Sequence, residues 1–445
     1  MLEARDRYLT LDLALRVGEI LLSSGAGAAD TTATMLAVTH HLGLRGCDVD
    51  VTFTSLRISY QARPDEPAIL VMRQVRHRDI DYDDLTRTER VVTTLLSDEI
   101  DRDEARSLIN QVVSTGHAIP RWAASTASGL AGAGVSLLLG GDVFVMGVAF
   151  LAALGIDLLK WRMSRRRLPG FYQQVAGGML ATGIAVVASA LLPNLFPSPS
   201  TVITASVIML LAGIGFMGAI QDALTGFYIT AGARILEALL ATAGIIAGVS
   251  AGLAVAEVAG FDVGRLVPGI TGGFEYLPFM MFGGGLAAAA FALACYAPWR
   301  AVLPIGLVSA VAIAVYQVVV IQGFDRTWGA AAAALLVGLV AYSVARFTRV
   351  PPLVVVVPAI VPMLPGLSIY RGLSLIGGQG GAAAEGIISM VTAVSVAIAL
   401  ASGVILGEYF AQPLRREAKR LEQRLSGPRL VGPLRARSVS SSRAR

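Results

Sequence analysis

The residues in this sequence best placed to do chemistry are charged side chains in strongly apolar surroundings, and they are few. Between residues 121 and 412 there are only ten carboxylates. Asp222, Arg234 and Glu237 form the most informative group. Asp222 ends an apolar stretch interrupted by small residues, while Arg234 and Glu237 lie three apart, on one face of the next apolar helix. A charge inside hydrocarbon costs at least a few kcal/mol, so such groups tend to face a cavity and bind or relay something. A carboxylate there can accept a proton, its pKa raised by desolvation or lowered by Arg234. An internal ion pair that merely ties two segments together is the competing account.

A second group lies further along the chain. Pro365-Gly366 breaks an apolar segment much as Gly213 does in the first half, and Arg371 with Glu385 falls where an inverted copy would put the counterparts of the charged group. Pro351, Pro352, Pro358, Pro362 and Pro365 mark that segment as irregular. Proline removes amide donors and leaves carbonyls unpaired, which the membrane tolerates only where backbone lines protein or water. A zwitterionic amino acid could place its ammonium on those carbonyls and its carboxylate on a half-helix N-terminus. A structural kink explains the prolines too.

The remaining candidates have ordinary explanations. Asp142, Asp262, Glu275 and Asp325 fall in loops or helix ends, Glu257 and Glu408 near helix ends, and Asp157 is placed for a local pair with Lys160. Gly213-Ile-Gly215-Phe-Met-Gly218 spells GxGxxG but sits in an apolar span without a preceding strand, so no dinucleotide site is expected. Gly244, Gly248 and Gly252 read as close helix packing. His40, His41, His77 and His117 match no metal spacing, and Asp81, Asp83 and Asp84 read as a solvated helix start. No P-loop occurs, and no catalytic residue, metal or cofactor is expected.

The elements that must position these groups follow from composition. The chain has 445 residues with 15% charged, and the charge is segregated. Residues 1–120 hold 19 of the 31 acids, and the last 33 residues hold ten basic residues against two acids. The pattern predicts a cytoplasmic α+β domain over 1–118, membrane repeats over 119–262 and 263–412, and a basic, largely disordered cytoplasmic tail over 413–445, beginning as a short amphipathic helix. The net charge of +5 suits anionic lipid headgroups rather than nucleic acid, and Cys47 and Cys295 imply no disulfide framework. In the first domain the spacing predicts two helices within 8–42, strands at 49–53, 56–60 and 68–75, and helices at 83–96 and 103–113, the last with Asp101 as N-cap.

A membrane helix needs about 20 apolar residues. Ten such segments occur: 121–140, 143–160, 172–192, 201–221, 229–257, 277–297, 301–321, 328–347, 352–374 and 384–410. Pro193 to Pro197 and the glycine run Gly377 to Gly381 punctuate them. With the N-terminus inside, ten basic residues flank the inner ends and only Arg265, Arg326 and Arg371 the outer, so both termini are expected in the cytoplasm. The ten divide into two fives. An odd number inverts the second copy, which points to a site at the midplane between the halves.

The chain resembles the threonine/serine exporter family along nearly its whole length. The resemblance is carried by Leu21-Leu22-Ser23-Ser24-Gly25-Ala26-Gly27, by Phe53 to Ser59, by Gly213 with Asp222-Ala-Leu-Thr-Gly226, Arg234 and Glu237, and most specifically by Val361-Pro-Met-Leu-Pro365-Gly366 running on to Leu373. Ala212 departs from the family pattern, where proline often precedes the glycine. The resemblance implies a ten-helix secondary exporter of threonine and serine, driven by the proton motive force, with room for a homo-oligomer. Two-subunit relatives keep export of a small dicarboxylate open. A membrane-anchored hydrolase acting through the N-terminal domain, in which Ser23, Ser24 and Ser55 lack an evident histidine–carboxylate pairing, and a scaffold or sensor are the rival readings from other classes.

Overall fold

The computed structural model describes residues 4–75, 78–191, 200–208, 213–260, 274–377 and 383–425. His77, Pro193 to Pro197, Ala212, Asp262, Arg265, Gly378 to Gly381 and the tail beyond Leu425 lie outside the described residues.

The N-terminal part contains α1 (Ala4–Ser23), α2 (Ala28–His41), β1 (Cys47–Val51), β2 (Ser55–Tyr60), β3 (Ile69–Gln74), α3 (Tyr82–Leu96) and α4 (Arg102–Ser114). On α1, Leu11, Leu13, Leu15, Val17 and Leu22 are all buried. A helix that is apolar on most faces belongs in the middle of a unit, and α1 packs against α2, β2, β3, α3 and α4. The sheet is an antiparallel meander in the order β1-β2-β3, with Val49 opposite Ile58 and Ile58 opposite Val71. Leu56, Ile58 and Tyr60 alternate inward on the central strand. Asp101 caps α4 through the Glu104 amide, as predicted. The acidic start of α3 is less solvated than expected. Asp81 accepts the Asp83 and Asp84 amides as N-cap, while Asp83 is buried against Arg87 at 2.7 Å.

The second part is helical: α5 (Arg121–Leu138), α6 (Val143–Arg165), α7 (Gly170–Leu191), α8 (Ser200–Ile208), α9 (Gly213–Leu224), α10 (Tyr228–Val258), α11 (Leu277–Ala294), α12 (Trp299–Ile321), α13 (Arg326–Thr348), α14 (Pro352–Ile360), α15 (Gly366–Gly377) and α16 (Ala383–Leu425). Among the described residues seven helices are long and apolar enough to cross a membrane, and the bent pair α14 and α15 makes eight. The sequence predicts ten. The other two positions are taken by α5, a serine- and glycine-rich helix of 18 residues, and by the short helices α8 and α9. Outward-facing Leu151, Phe279, Leu303, Phe347 and Val391 are exposed, as apolar residues are in a lipid solvent. The chain is a multi-pass membrane protein.

The helix pairings among α5 to α10 recur among α11 to α16. α5 packs on α6 as α11 on α12, α7 on α10 as α13 on α16, and α9 on α10 as α15 on α16. The two sets meet through α5 with α11, and through α9 with α16 and α10 with α15. Small residues permit the closest of these approaches. A Cβ on Gly248 would collide with the Val175 carbonyl oxygen on α7, and one on Gly407 with the Leu335 carbonyl oxygen on α13. The predicted glycine packing of α10 is therefore met, and α16 repeats it.

One local expectation is corrected and one refined. Asp157 pairs with Arg121 at 2.6 Å and accepts from Ser125 at 2.7 Å, rather than pairing with Lys160, because α5 brings a guanidinium to it across the helix interface. The basic tail begins helical, as expected, but as a continuation of α16, which runs without interruption to Leu425.

Candidate functional site

Asp222 sits in the last turn of α9 and is 1% exposed; Arg234, two turns into α10, is 8% exposed. The turn between them is tight because Gly226 takes a left-handed conformation (φ +94°), which lets the Phe227 amide reach back to the Asp222 carbonyl at 2.8 Å. That geometry aims the two side chains at each other, and Arg234 Nη1 donates to Asp222 Oδ2 at 2.6 Å. Gly218, one turn before Asp222, leaves the necessary space: a Cβ there would lie 3.1 Å from Arg234 Nη1.

The other Asp222 oxygen is taken from an unexpected direction. The Ala28 amide, at the N-terminus of α2, donates to Asp222 Oδ1 at 3.0 Å across 194 positions of sequence. Helix α2 has glycine at its N-cap, so no local side chain satisfies that first amide, and Asp222 fills the role. Gly25 makes the preceding turn with φ +103°. The neighbouring loops follow. The Thr230 hydroxyl donates to the Val51 carbonyl at 3.4 Å, and Arg78 lies 5.0 Å over the Phe53 ring. Three separate runs, around Ser23 to Ala28, Phe53 and Asp222 to Arg234, thus converge on one spot.

Charges from the N-terminal unit crowd this spot. Burial, then the Arg234 charge, lowers the Arg78 guanidinium to about 10. Asp30 is pushed above its ordinary value by the protein around it and then by Asp222; Glu89 is pushed up by burial and then by Asp30. Beyond Glu89 a cleft of about 350 Å³ opens between the unit and the helices, lined by Thr86, Glu89, Arg90, Arg346, Arg349 and Pro352.

The predicted residues divide clearly. Asp222 and Arg234 are joined. Glu237, one turn on, is exposed on the same helix. Gly213 meets the second break directly, since a Cβ on it would stand 3.0 Å from Leu364 Cβ and 3.5 Å from the Gly366 amide. Pro365 is buried there, its carbonyl accepting from Ile369 at 3.0 Å, and the α14–α15 pair bends by 46°. Arg371 and Glu385 flank the crossing of α15 and α16, but both are exposed and no ion pair joins them among the described residues.

Sequence reading missed Ala28, Asp30 and Arg78, which belong to no charge pattern visible along the chain. It also missed the grouping of Asp81, Asp84 and His117, whose ligand atoms lie within 4.8 Å of one another. These three could hold a metal ion, but their evident work is local. His117 hydrogen-bonds Asp81 and stacks on Tyr296 at 3.9 Å, joining the unit to the α11–α12 turn. Of the serines considered as nucleophiles, Ser23 donates to the Ile20 carbonyl at 3.0 Å, and the Ser55 hydroxyl pairs with that of Thr52 at 2.6 Å.

A buried ion pair across the α9–α10 turn, in a bundle of apolar helices with one bent pair, is the setting of a multi-pass membrane protein. Residues 12–256 match a family model described as "Putative threonine/serine exporter", and residues 281–410 one described as "Threonine/Serine exporter, ThrE". The chain belongs to the threonine/serine exporter family. It is 34% identical over 426 residues to a "Probable threonine/serine exporter" of Mycobacterium tuberculosis, covering 94% of this chain and 80% of the relative. It is 33% identical over 410 residues to a "Threonine/serine exporter" of Corynebacterium glutamicum, covering 91% and 83%. No solved structure matches.

Proposed function

We propose that the protein is a secondary-active exporter of threonine, serine or a similar small amino acid in the cytoplasmic membrane, driven by the proton motive force. On this reading residues 119–262 and 263–412 are five-helix halves of opposite sidedness, and residues 1–118 and the C-terminus lie in the cytoplasm. The observation that carries it is the buried Asp222–Arg234 pair at one end of α9, whose other end, Gly213, meets the α14–α15 break at Leu364 and Gly366. A carboxylate that exchanges a guanidinium for a proton gives the coupling; the broken backbone met by the far end of α9 gives polar groups for a zwitterion.

The recurrence of helix pairings supports the two halves. Sidedness is supported by where the N-terminal unit touches the bundle: Asp222 to Thr230, Cys295 to Tyr296 and Arg346 to Pro352 are all ends that the positive charges assign to the inside. The unit then covers Asp222 from the cytoplasm and acts as a gate. The test is reconstitution into vesicles loaded with labelled threonine. Release that accelerates when a proton gradient is imposed supports coupled export, and release indifferent to the gradient removes the coupling. Preference for a small dicarboxylate over threonine would replace the substrate.

A further inference from the structure

We propose that Arg78 is a carboxylate-recognition residue, held by the N-terminal unit over the Asp222–Arg234 pair, and that a small amino acid meets it on entering from the side of that unit. This rests on the exporter reading above and adds to it a residue outside the membrane helices.

Arg78 has an unmet hydrogen-bonding need among the described residues. Both terminal nitrogens of Arg78 are shielded from solvent, and neither has a hydrogen-bond partner among the described residues. Buried guanidinium donors are ordinarily paired, because losing water without a replacement is costly. The anions within electrical reach are otherwise engaged or turned away. Asp222 spends one oxygen on Arg234 and the other on the Ala28 amide, and Glu237 is exposed on α10. Phe53 supports one face of the Arg78 group at 5.0 Å, which fixes its plane, and a ligand reaches the shielded donor edge when the unit shifts from the helices. A planar fork of donors with no acceptor, next to a second guanidinium, matches a free carboxylate. The Asp30 carboxylate, in the first turn of α2, shares the neighbourhood of Gly27 with Asp222 and offers an acceptor for the ammonium of the same ligand. An amino acid held this way would also compete with the Ala28 amide for the pair beneath, so binding and release of the unit would be linked.

The experiment uses the full-length chain in vesicles. Export of labelled threonine by the wild type is established first, and its absence would overturn the exporter reading itself. Export is then measured against threonine concentration on the side of the N-terminal unit for the wild type, Arg78→Gln and Arg78→Lys, with threoninamide as a competitor lacking the carboxylate. Removing a charge-assisted pair predicts a half-saturating concentration about 10- to 100-fold higher in Arg78→Gln. Maximal rate should be largely retained, with partial recovery in Arg78→Lys. Threoninamide should compete poorly with threonine on the wild type, and that gap should close in Arg78→Gln. An unchanged half-saturation with the gap intact would overturn the proposal, as would an equal fall in maximal rate with every ligand, which marks a structural role. Should Arg78→Gln not fold, the same two readouts on Arg78→Lys decide the matter.

Discussion

At the scale of single residues, the site depends on Asp222 satisfying two donors at once. Removing its charge leaves Arg234 buried and uncompensated, which in comparable settings costs about 3–5 kcal/mol, whereas neutralising both partners costs much less. Asp222→Asn and Arg234→Gln should each lower the unfolding temperature in detergent and abolish threonine export. The double variant should recover most of the stability and none of the transport. Full recovery of transport would remove the pair from the mechanism. A second prediction concerns pH. Asp84 is raised from 3.8 to about 6, first by burial and then by Asp81. A carboxylate with a raised folded pKa binds a proton on folding, so its contribution is present below about 4 and lost as pH rises through about 6. Wild type should therefore gain stability relative to Asp84→Asn as pH falls from 7.5 to 4.5. Because Asp84 is half exposed, the gain should be about 1 kcal/mol or less. Parallel melting curves for the two proteins across that range would refute the assignment.

At the scale of elements, small residues decide which helices can touch. Gly248 and Gly407 occupy corresponding places in two matched pairings, and each faces a carbonyl that cannot retreat. Alanine at either position should destabilise by about 1–3 kcal/mol through forced separation of the helices. Gly215→Ala and Gly232→Ala, where a Cβ meets nothing within 4 Å, should leave the melting temperature within a degree or two and serve as controls. The breaks obey the same logic. Gly213 faces Leu364 closely enough that a larger side chain must push the two broken helices apart, so Gly213→Val should impair export more than it impairs folding.

At the scale of the whole molecule, the contacts of the N-terminal unit are the useful constraint. They fall at the α9–α10, α11–α12 and α13–α14 turns, which share one face of the bundle. A topology in which that face is cytoplasmic predicts the outcome of labelling with an impermeant thiol reagent in a Cys47→Ser, Cys295→Ser background. Cysteine at Gln322, in the α12–α13 turn, should label in intact cells. Cysteine at Arg166, in the α6–α7 turn, should label only after permeabilisation. The reverse pattern would turn the protein over and end the export reading.

Much of this could be read from the sequence. Hydrophobic segments, the broken ninth segment, the three short strands and the Asp222–Arg234 pairing are local properties, set by periodicity, by proline and glycine, and by two charges twelve positions apart across a turn. Position along the chain could not show that Asp222 also caps α2, that Arg78 is shielded without a hydrogen-bond partner among the described residues, or that Gly213 and Gly366 meet. Nor could it show that Asp157 prefers Arg121 to the nearer Lys160. Those relations join residues separated by tens to hundreds of positions, and they exist only because packing excludes water and forces each buried polar group to find whichever partner the fold has brought within reach.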